Sequence, residues 1–168
     1  MTVKVVQALL KNNTDAASGK YPKITNLAIP AGKKVHIVVP VKFLALPGTR
    51  TAATWFTAGN GSNATGVFQT ARKVEGNGNK FTFVQTSTLK VNAANTENTT
   101  QYDYNKWYII HIFGNTNDLT TEMHLGSPIG NNGMISSLWA YEDMQVFVDQ
   151  ADSVANSYAE SLKSKYGV

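Results

Sequence analysis

The clearest pattern in the chain is an alternation of apolar and polar residues from Val35 to Leu46, the period of a β-strand. Its apolar face consists of Val35, Ile37, Val39, Val41 and Phe43. Pro40 lies on the other face with His36, and proline has no N–H to donate to a strand ladder. We therefore expect the strand to lie at a sheet edge or to be bulged at Pro40, as a long strand that bends between two sheets would be.

A second strand is predicted at Trp107–Phe113 (WYIIHIF), where the side chains on both faces are apolar. A strand of this kind belongs in the middle of a sheet. The three histidines, His36, His111 and His124, are far apart in the sequence and lack metal-ligand spacing. His111 is therefore expected to be a hydrogen-bonded core residue. Short apolar runs between these two strands predict further antiparallel strands.

The last third of the chain predicts a strand, a tight return and one α-helix. Residues 135–141 (ISSLWAY) are dense in apolar side chains, as in a buried strand. The stripe that follows, at steps of three and four residues, consists of Ala151, Val154, Ala155, Tyr158, Leu162 and Tyr166. The residues that suit the two helix ends are Asp149 and Asp152 at the start, and Lys163, Lys165 and Gly167 at the finish. We predict a helix from about Asp149 to Tyr166 that packs Val154, Tyr158 and Leu162 onto the sheet.

Composition favours a single β-rich domain over residues 1–168, a length that can bury one sizeable core. Charged residues are only 15% of the chain, against about 25% in ordinary domains. The net charge of +4 is scattered along the sequence, so no nucleic-acid partner is expected. Apolar runs fall well short of the roughly 20 residues of a membrane span, so no membrane is expected either. The start of the chain lacks the pattern of a secretory signal, which predicts synthesis in the cytoplasm.

The C-terminal stretch resembles a known family. ISSLWAY, a polar turn and a helix ending in Ser157-Tyr158 and SLKSKYG (161–167) are similar to the C-terminal signature of laminin-G-like, concanavalin A-like jelly rolls. Trp107, which opens a strand that runs into a glycine turn, resembles another strand of that family. This chain departs from the pattern in having Ala159-Glu160 inside the helical signature and an acidic pair at residues 142–143. The resemblance implies an all-β, two-sheet antiparallel jelly-roll sandwich with one C-terminal α-helix.

Catalytic and metal chemistry is weakly indicated. The fold includes polysaccharide hydrolases with carboxylates that alternate on one strand, whereas Glu142 and Asp143 are adjacent and would point to opposite faces of a strand. We therefore predict no catalytic and no cofactor-binding residues. Calcium is the one cofactor considered, because Asn115, Asn117 and Asp118 place oxygen ligands in one turn.

Aromatic and amide side chains supply the candidates for contact with a ligand or partner. Trp107 and Trp139 match positions that pack the family's core, whereas Trp55 is expected near a loop rim and open to a sugar or a protein. The contact candidates are Trp55, Asn60, Asn63, Tyr102 and Tyr104.

Three functional classes compete: a virion structural protein, a glycan-binding lectin-like module and a polysaccharide hydrolase. The first is favoured, as a capsid decoration or a fibre or tail surface protein, because one bare domain of low charge without a signal suits assembly in a host cytoplasm and display on a virion surface. Its expected partners are a capsid or tail protein of the same virion and identical copies in a homo-oligomer. A host-surface glycan is the alternative partner. The expected contact segments are residues 1–10 and the loops at 59–63 and 92–104.

Overall fold

The computed structural model describes residues 2–5, 8–10, 23–45, 52–59, 65–70, 73–76, 84–95, 103, 105–116, 119–125 and 138–168. The described residues are mostly β, and their one helix is C-terminal. The strands are β1 Thr2–Val5, β2 Ala8–Leu10, β3 Lys23–Ile24, β4 Lys34–Ala45, β5 Ala52–Gly59, β6 Thr65–Thr70, β7 Lys73–Gly76, β8 Val84–Val91, β9 Ala94–Asn95, β10 Trp107–Thr116, β11 Glu122–Leu125, β12 Leu138–Tyr141 and β13 Met144–Val148. The helix, α1, is Asp152–Tyr166.

All of these strands pair in antiparallel fashion, and they form two sheets. Sheet A has eight strands, with the order β1-β13-β4-β10-β8-β9, and β12 lies between β2 and β4. Sheet B has five strands, with the order β3-β11-β5-β6-β7. The first strands of the chain therefore pair with the last ones, β1 with β13 and β2 with β12, so the N-terminal segment is built into sheet A.

Strand β4 confirms the alternation seen in the sequence, and it shows how Pro40 is accommodated. β10 pairs with one side of β4, while β13 and then β12 share the other side. Glu142, between those two strands, donates its N–H to the Pro40 carbonyl at 3.3 Å. Because the N and C=O of one residue face the same neighbour in an antiparallel ladder, the missing N–H of Pro40 faces this break. The irregularity thus lies in the neighbouring strand, and the expectation that β4 serves two sheets is wrong.

Strand β10 lies between β4 and β8, as its two apolar faces predict. One face of the β4–β10 pair is mainly apolar, and its buried residues are Val35, Ile37, Val39, Val41, Ile110 and Ile112. The other face carries Val38 and Ile109, which form one apolar cluster with α1. Both faces of the pair are therefore covered, and α1 covers one of them.

Helix α1 begins three residues later than predicted. Asp149 has a positive φ of 51° and Ala151 is extended, so the helical turns start only at Asp152. The predicted stop is confirmed, since Gly167 is left-handed with φ 70°. Its N–H bonds back to the Lys163 carbonyl, which also accepts from Val168.

The buried face of α1 is narrower than the apolar stripe suggested. Ala155, Ala159 and Leu162 are buried on sheet A, at steps of four and three residues. Tyr158 is half-buried beside them. Val154 is 44% exposed, so the prediction that it packs on the sheet is wrong. Successive helical residues are about 100° apart around the helix axis. Val154 therefore points away from the buried face on which Ala155 lies.

Strand β13 was not expected. The sequence analysis placed a polar turn between residue 141 and the helix, whereas Met144–Val148 forms a further strand of sheet A. It is five residues long and is bounded by Asp143 and Asp149, both with positive φ. A strand this short, with a break at each end, is too short to show a clear alternation of apolar and polar residues in the sequence.

Candidate functional site at the helix–sheet interface

A buried histidine pair lies under the N-terminal half of α1. Nδ1 of His36, on β4, is 3.0 Å from Nε2 of His111, on β10. The register places His36 opposite Phe113 and His111 opposite Val38, so the two imidazoles are diagonal neighbours on the face that α1 covers. Each histidine is only 1% exposed. His111 is thus a hydrogen-bonded core residue, as predicted, and its partner is a second histidine.

Aromatic and basic groups surround the pair. The Phe113 ring stacks on His36, with centroids 5.1 Å apart and planes at 18°, and it also touches His111. Lys90, on β8, has its ammonium group 5.4 Å from the centre of the Phe113 ring and donates to Asn156 of α1 at 3.1 Å. The pair therefore lies between an aromatic ring and a bridge from the sheet to the helix.

An acid from the first turn of α1 completes the cluster. Oδ1 of Asp152 is 3.2 Å from Nε2 of His36 and forms an ion pair with Lys34. The contact with His36 has ion-pair distance without the alignment of a hydrogen bond, and Nδ1 of His111 has no hydrogen-bond partner among the described residues. Lys34 and Asp152 are about half exposed, in contrast to the histidines beneath them.

The surroundings keep both imidazoles neutral near neutral pH. Burial is the main cause that lowers the pKa of His36, helped by the positive charges of Lys34 and Lys90 and opposed by Asp152. Burial, then His36 and Lys90, lower the pKa of His111 to about 3. The neighbouring Lys34 lowers the pKa of Asp152. Negative charge at the rim thus lies over neutral rings in the interior.

The C-terminal end of α1 is held by a different cluster. The Tyr166 hydroxyl lies 3.0 Å from Oε2 of Glu142 and 2.7 Å from Oδ2 of Asp143. Lys165 pairs with the same Asp143 carboxylate, and the Tyr158 hydroxyl donates to the Asp143 carbonyl. Lys165, followed by Tyr166, lowers the pKa of Asp143 against the opposing effect of burial. Burial and both carboxylates raise the pKa of Tyr166.

This geometry corrects the expectation that Glu142 and Asp143 point apart. They occupy the break between β12 and β13, where Asp143 has φ 48°, so strand alternation does not apply to them. Breaks of this kind redirect side chains. Here both carboxylates point to one tyrosine hydroxyl and fix the end of the helix.

Trp107 packs against this end of the helix. Its ring centre is 4.8 Å from that of Tyr166, and the Lys42 ammonium group is 6.0 Å from the ring. The packing role predicted for Trp107 is confirmed.

Most of the predicted contact candidates lie outside the described residues. Asn60, Asn63, Tyr102 and Tyr104 are among them, so their role stays a prediction. The backbone of Trp55 lies within β5, where the register with β6 shifts between Thr54 and Phe56. For calcium, Asn115 is exposed near the end of β10, and Asn117 and Asp118 lie outside the described residues. The calcium site also stays a prediction.

The sequence analysis missed the histidine pair because it treated the histidines one by one. Alternation does place His36 on the face of β4 opposite the apolar one, and His111 on one face of β10 with Phe113. The register between strands that are 75 residues apart is what joins them. His124 lies on β11, in sheet B.

Chemically, the pair is a proton-holding site. Two nitrogens 3.0 Å apart share one bridging proton, and the other nitrogen of each ring has no hydrogen-bond partner among the described residues. No significant match is found when the chain is compared with protein-family models, curated proteins and solved structures. Within the described part of the chain, no helix has the length and apolar character to cross a membrane.

Proposed function

We propose that this protein is a non-enzymatic structural component of a virion surface, a capsid decoration or a fibre or tail protein that acts through protein–protein contacts. The observation that carries the proposal is the use of the polar groups around α1. Glu142 and Asp143 bind Tyr166 and Lys165, and the histidines bind each other under the helix. These groups join the helix to the sheet, which suits a rigid building block.

The jelly-roll sandwich is part of the same proposal. Sheet A carries α1 on one face, and its other face includes Ile37 and Ile112, which are completely buried. A sheet face of that kind needs a second layer. We infer that sheet B supplies it, which gives the two-sheet architecture that the C-terminal resemblance implies. Ile29 and Thr120, two further buried residues, form an isolated bridge. Each of them lies in a segment of the chain that connects a strand of one sheet to a strand of the other.

Assembly through sheet edges and loops follows from this architecture. With α1 on one face of sheet A and sheet B proposed on the other, we expect contacts to a shell protein or to identical copies at sheet edges and loops. β1 ends the order of the described strands in sheet A, and edge strands are natural sites for pairing between chains. We propose residues 1–10 and the loops at 59–63 and 92–104 as the contact segments.

The test combines light scattering of the purified protein with co-sedimentation on particles that lack it. We expect a closed symmetric oligomer that binds the particles. Replacing Ser157, exposed on the helix, by Arg is the matched control and should leave both results unchanged. A strict monomer that binds no particle but is retained by immobilised glycans would contradict the proposal and favour the lectin-like alternative. Polysaccharide cleavage that disappears in Glu142→Gln, with the fold retained, would favour a hydrolase.

A further inference from the structure

The contact between His36 and His111 has room for one proton. In the neutral pair, one imidazole N–H donates to the lone pair of the other ring across the 3.0 Å gap. If one further proton is taken up, His36 becomes charged, still donates to His111 and faces Asp152 with its other nitrogen. If both rings are charged, the two N–H groups meet head-on, and the hydrogen bond is replaced by repulsion.

Charged groups from each neighbouring element affect this balance. Lys34 on β4 and Lys90 on β8 oppose protonation of the pair, whereas Asp152 on α1 favours it. The neighbour of His36 on β13 is Phe147, which carries no charge. Two lysines against one carboxylate leave no compensation for a second positive charge between the rings.

The helix above the pair is the part of the interface that can give way. Its first turns hold the cluster through Asp152 and through Asn156, which binds Lys90. Ala155, completely buried in the same apolar cluster as Val38, lies between these two contacts in sequence. The far end of α1 is anchored separately at Tyr166 by Glu142 and Asp143.

We propose that the His36–His111 pair is an acid-operated release: uptake of the second proton opens the first turns of α1, residues 152–157, away from sheet A, while the Tyr166 end stays attached. Opening admits water to the rings and uncovers the apolar surface around Val38. The device does not depend on the proposed function, because it requires only that the chain meets acid.

The experiment follows the histidine ring signals and the alanine methyl signals by NMR between pH 7.5 and 3, so that the range reaches the pKa of about 3 of His111. Because the chain has only three histidines, His124→Gln assigns the third ring and is the matched control. We expect the second protonation of the pair to coincide with movement of the Ala155 methyl signal towards its unfolded position, while the Leu162 methyl signals stay in place. If both rings become charged while the Ala155 methyl signal is unchanged, the release does not exist.

The variant His111→Phe removes the second proton acceptor. We expect its Ala155 transition to shift by at least one pH unit to lower pH, and that of His124→Gln to match the unmodified chain. An unchanged midpoint in a folded His111→Phe protein would overturn the proposal. If that variant does not fold, the titration of the unmodified chain decides the question by itself.

Discussion

The two ends of helix α1 are attached to sheet A by opposite kinds of chemistry. At the C-terminal end the Tyr166 hydroxyl meets two carboxylates, Lys165 pairs with one of them, and Gly167 closes the helix in a left-handed turn. At the N-terminal end two buried histidines share one hydrogen bond, and the other nitrogen of each ring has no hydrogen-bond partner among the described residues. One end is saturated with hydrogen bonds, and the other is not.

The difference sets the pH range in which each end is stable. Asp143 has a lowered pKa, so its contribution is complete above its ordinary value of 3.8 and is lost only in stronger acid. Tyr166 has a raised pKa, so its contribution is lost only above the ordinary value of 10.0. The histidines have lowered pKa values, so their contribution is complete above 6.5 and is lost as the pH falls below it. Among Asp143, Tyr166 and the two histidines, only the histidines therefore lose their contribution between pH 6.5 and 4.

The largest expected effect is the loss of stability in acid. A pKa of about 3 for His111 in the folded protein, against 6.5 when exposed, corresponds to about 4 to 5 kcal/mol lost between those two pH values, at about 1.4 kcal/mol per unit. Urea unfolding at pH 7.5, 6, 5 and 4 follows most of this loss, of which about 2 kcal/mol is expected between pH 6.5 and 5. His111→Phe should flatten the dependence on pH, and His124→Gln should not. Equal slopes in these two variants would remove the contrast between the ends.

The next largest effect on stability is expected from the apolar cluster between α1 and sheet A. Leu162 is 5% exposed in the cluster with Val38 and Ile109, so Leu162→Ala should lower the free energy of unfolding by about 2 to 4 kcal/mol. Val154→Ala is the matched control at an exposed position of the same helix, where a change within about 0.5 kcal/mol is expected. Denaturant unfolding at pH 7.5 measures both, and equal losses would show that α1 is not seated on Leu162.

A smaller effect is expected from Tyr166→Phe, which keeps the ring against Trp107 and removes the hydroxyl that Glu142 and Asp143 share. The loss should be about 1 to 2 kcal/mol, because a bond to a charged partner is removed at a half-exposed site. The slope of stability between pH 7 and 5 should not change, since the pKa of Asp143 is lowered from 3.8 and that of Tyr166 is raised from 10.0, both outside this range. Tyr108→Phe is the control on the other face of β10. A changed slope in Tyr166→Phe alone would mean that the two ends are coupled.

The smallest expected effect is at the helix stop. Gly167 has φ 70° and nothing within 4 Å of an added Cβ, so Gly167→Ala should cost about 1 kcal/mol through backbone strain alone. Ser164→Ala, at an exposed helical position, should be neutral or slightly stabilising. Thermal unfolding at pH 7.5 compares the two, and a neutral Gly167→Ala would show that the left-handed turn is not required.

Periodic features were predictable from the sequence. The alternation in β4, the two apolar faces of β10 and the left-handed stop at Gly167 each follow from residues close together in the chain. Such features depend on local sterics and on which faces are buried. The antiparallel, mostly β fold with one C-terminal helix was predictable for the same reason.

The candidate site was not predictable, because it depends on register. His36 meets His111 only because β4 pairs with β10 so that Phe113 stands opposite His36, and a shift of one residue would turn one ring to the other face. The convergence of Glu142 and Asp143 on Tyr166 likewise depends on the break opposite Pro40. Pro40 predicted an irregularity in the sheet, but it did not predict that the irregularity would lie in the neighbouring strand.

Residue-resolved amide hydrogen exchange along α1 at pH 7 and pH 5, corrected for intrinsic rates, tests most directly whether the two ends differ. We expect both halves to be protected at pH 7. At pH 5 the amides of residues 155–157 should lose at least about tenfold more protection than those of residues 162–166, since one proton excluded by the closed state gives a factor of ten per pH unit. Equal loss in both halves, or none in either, would contradict the account.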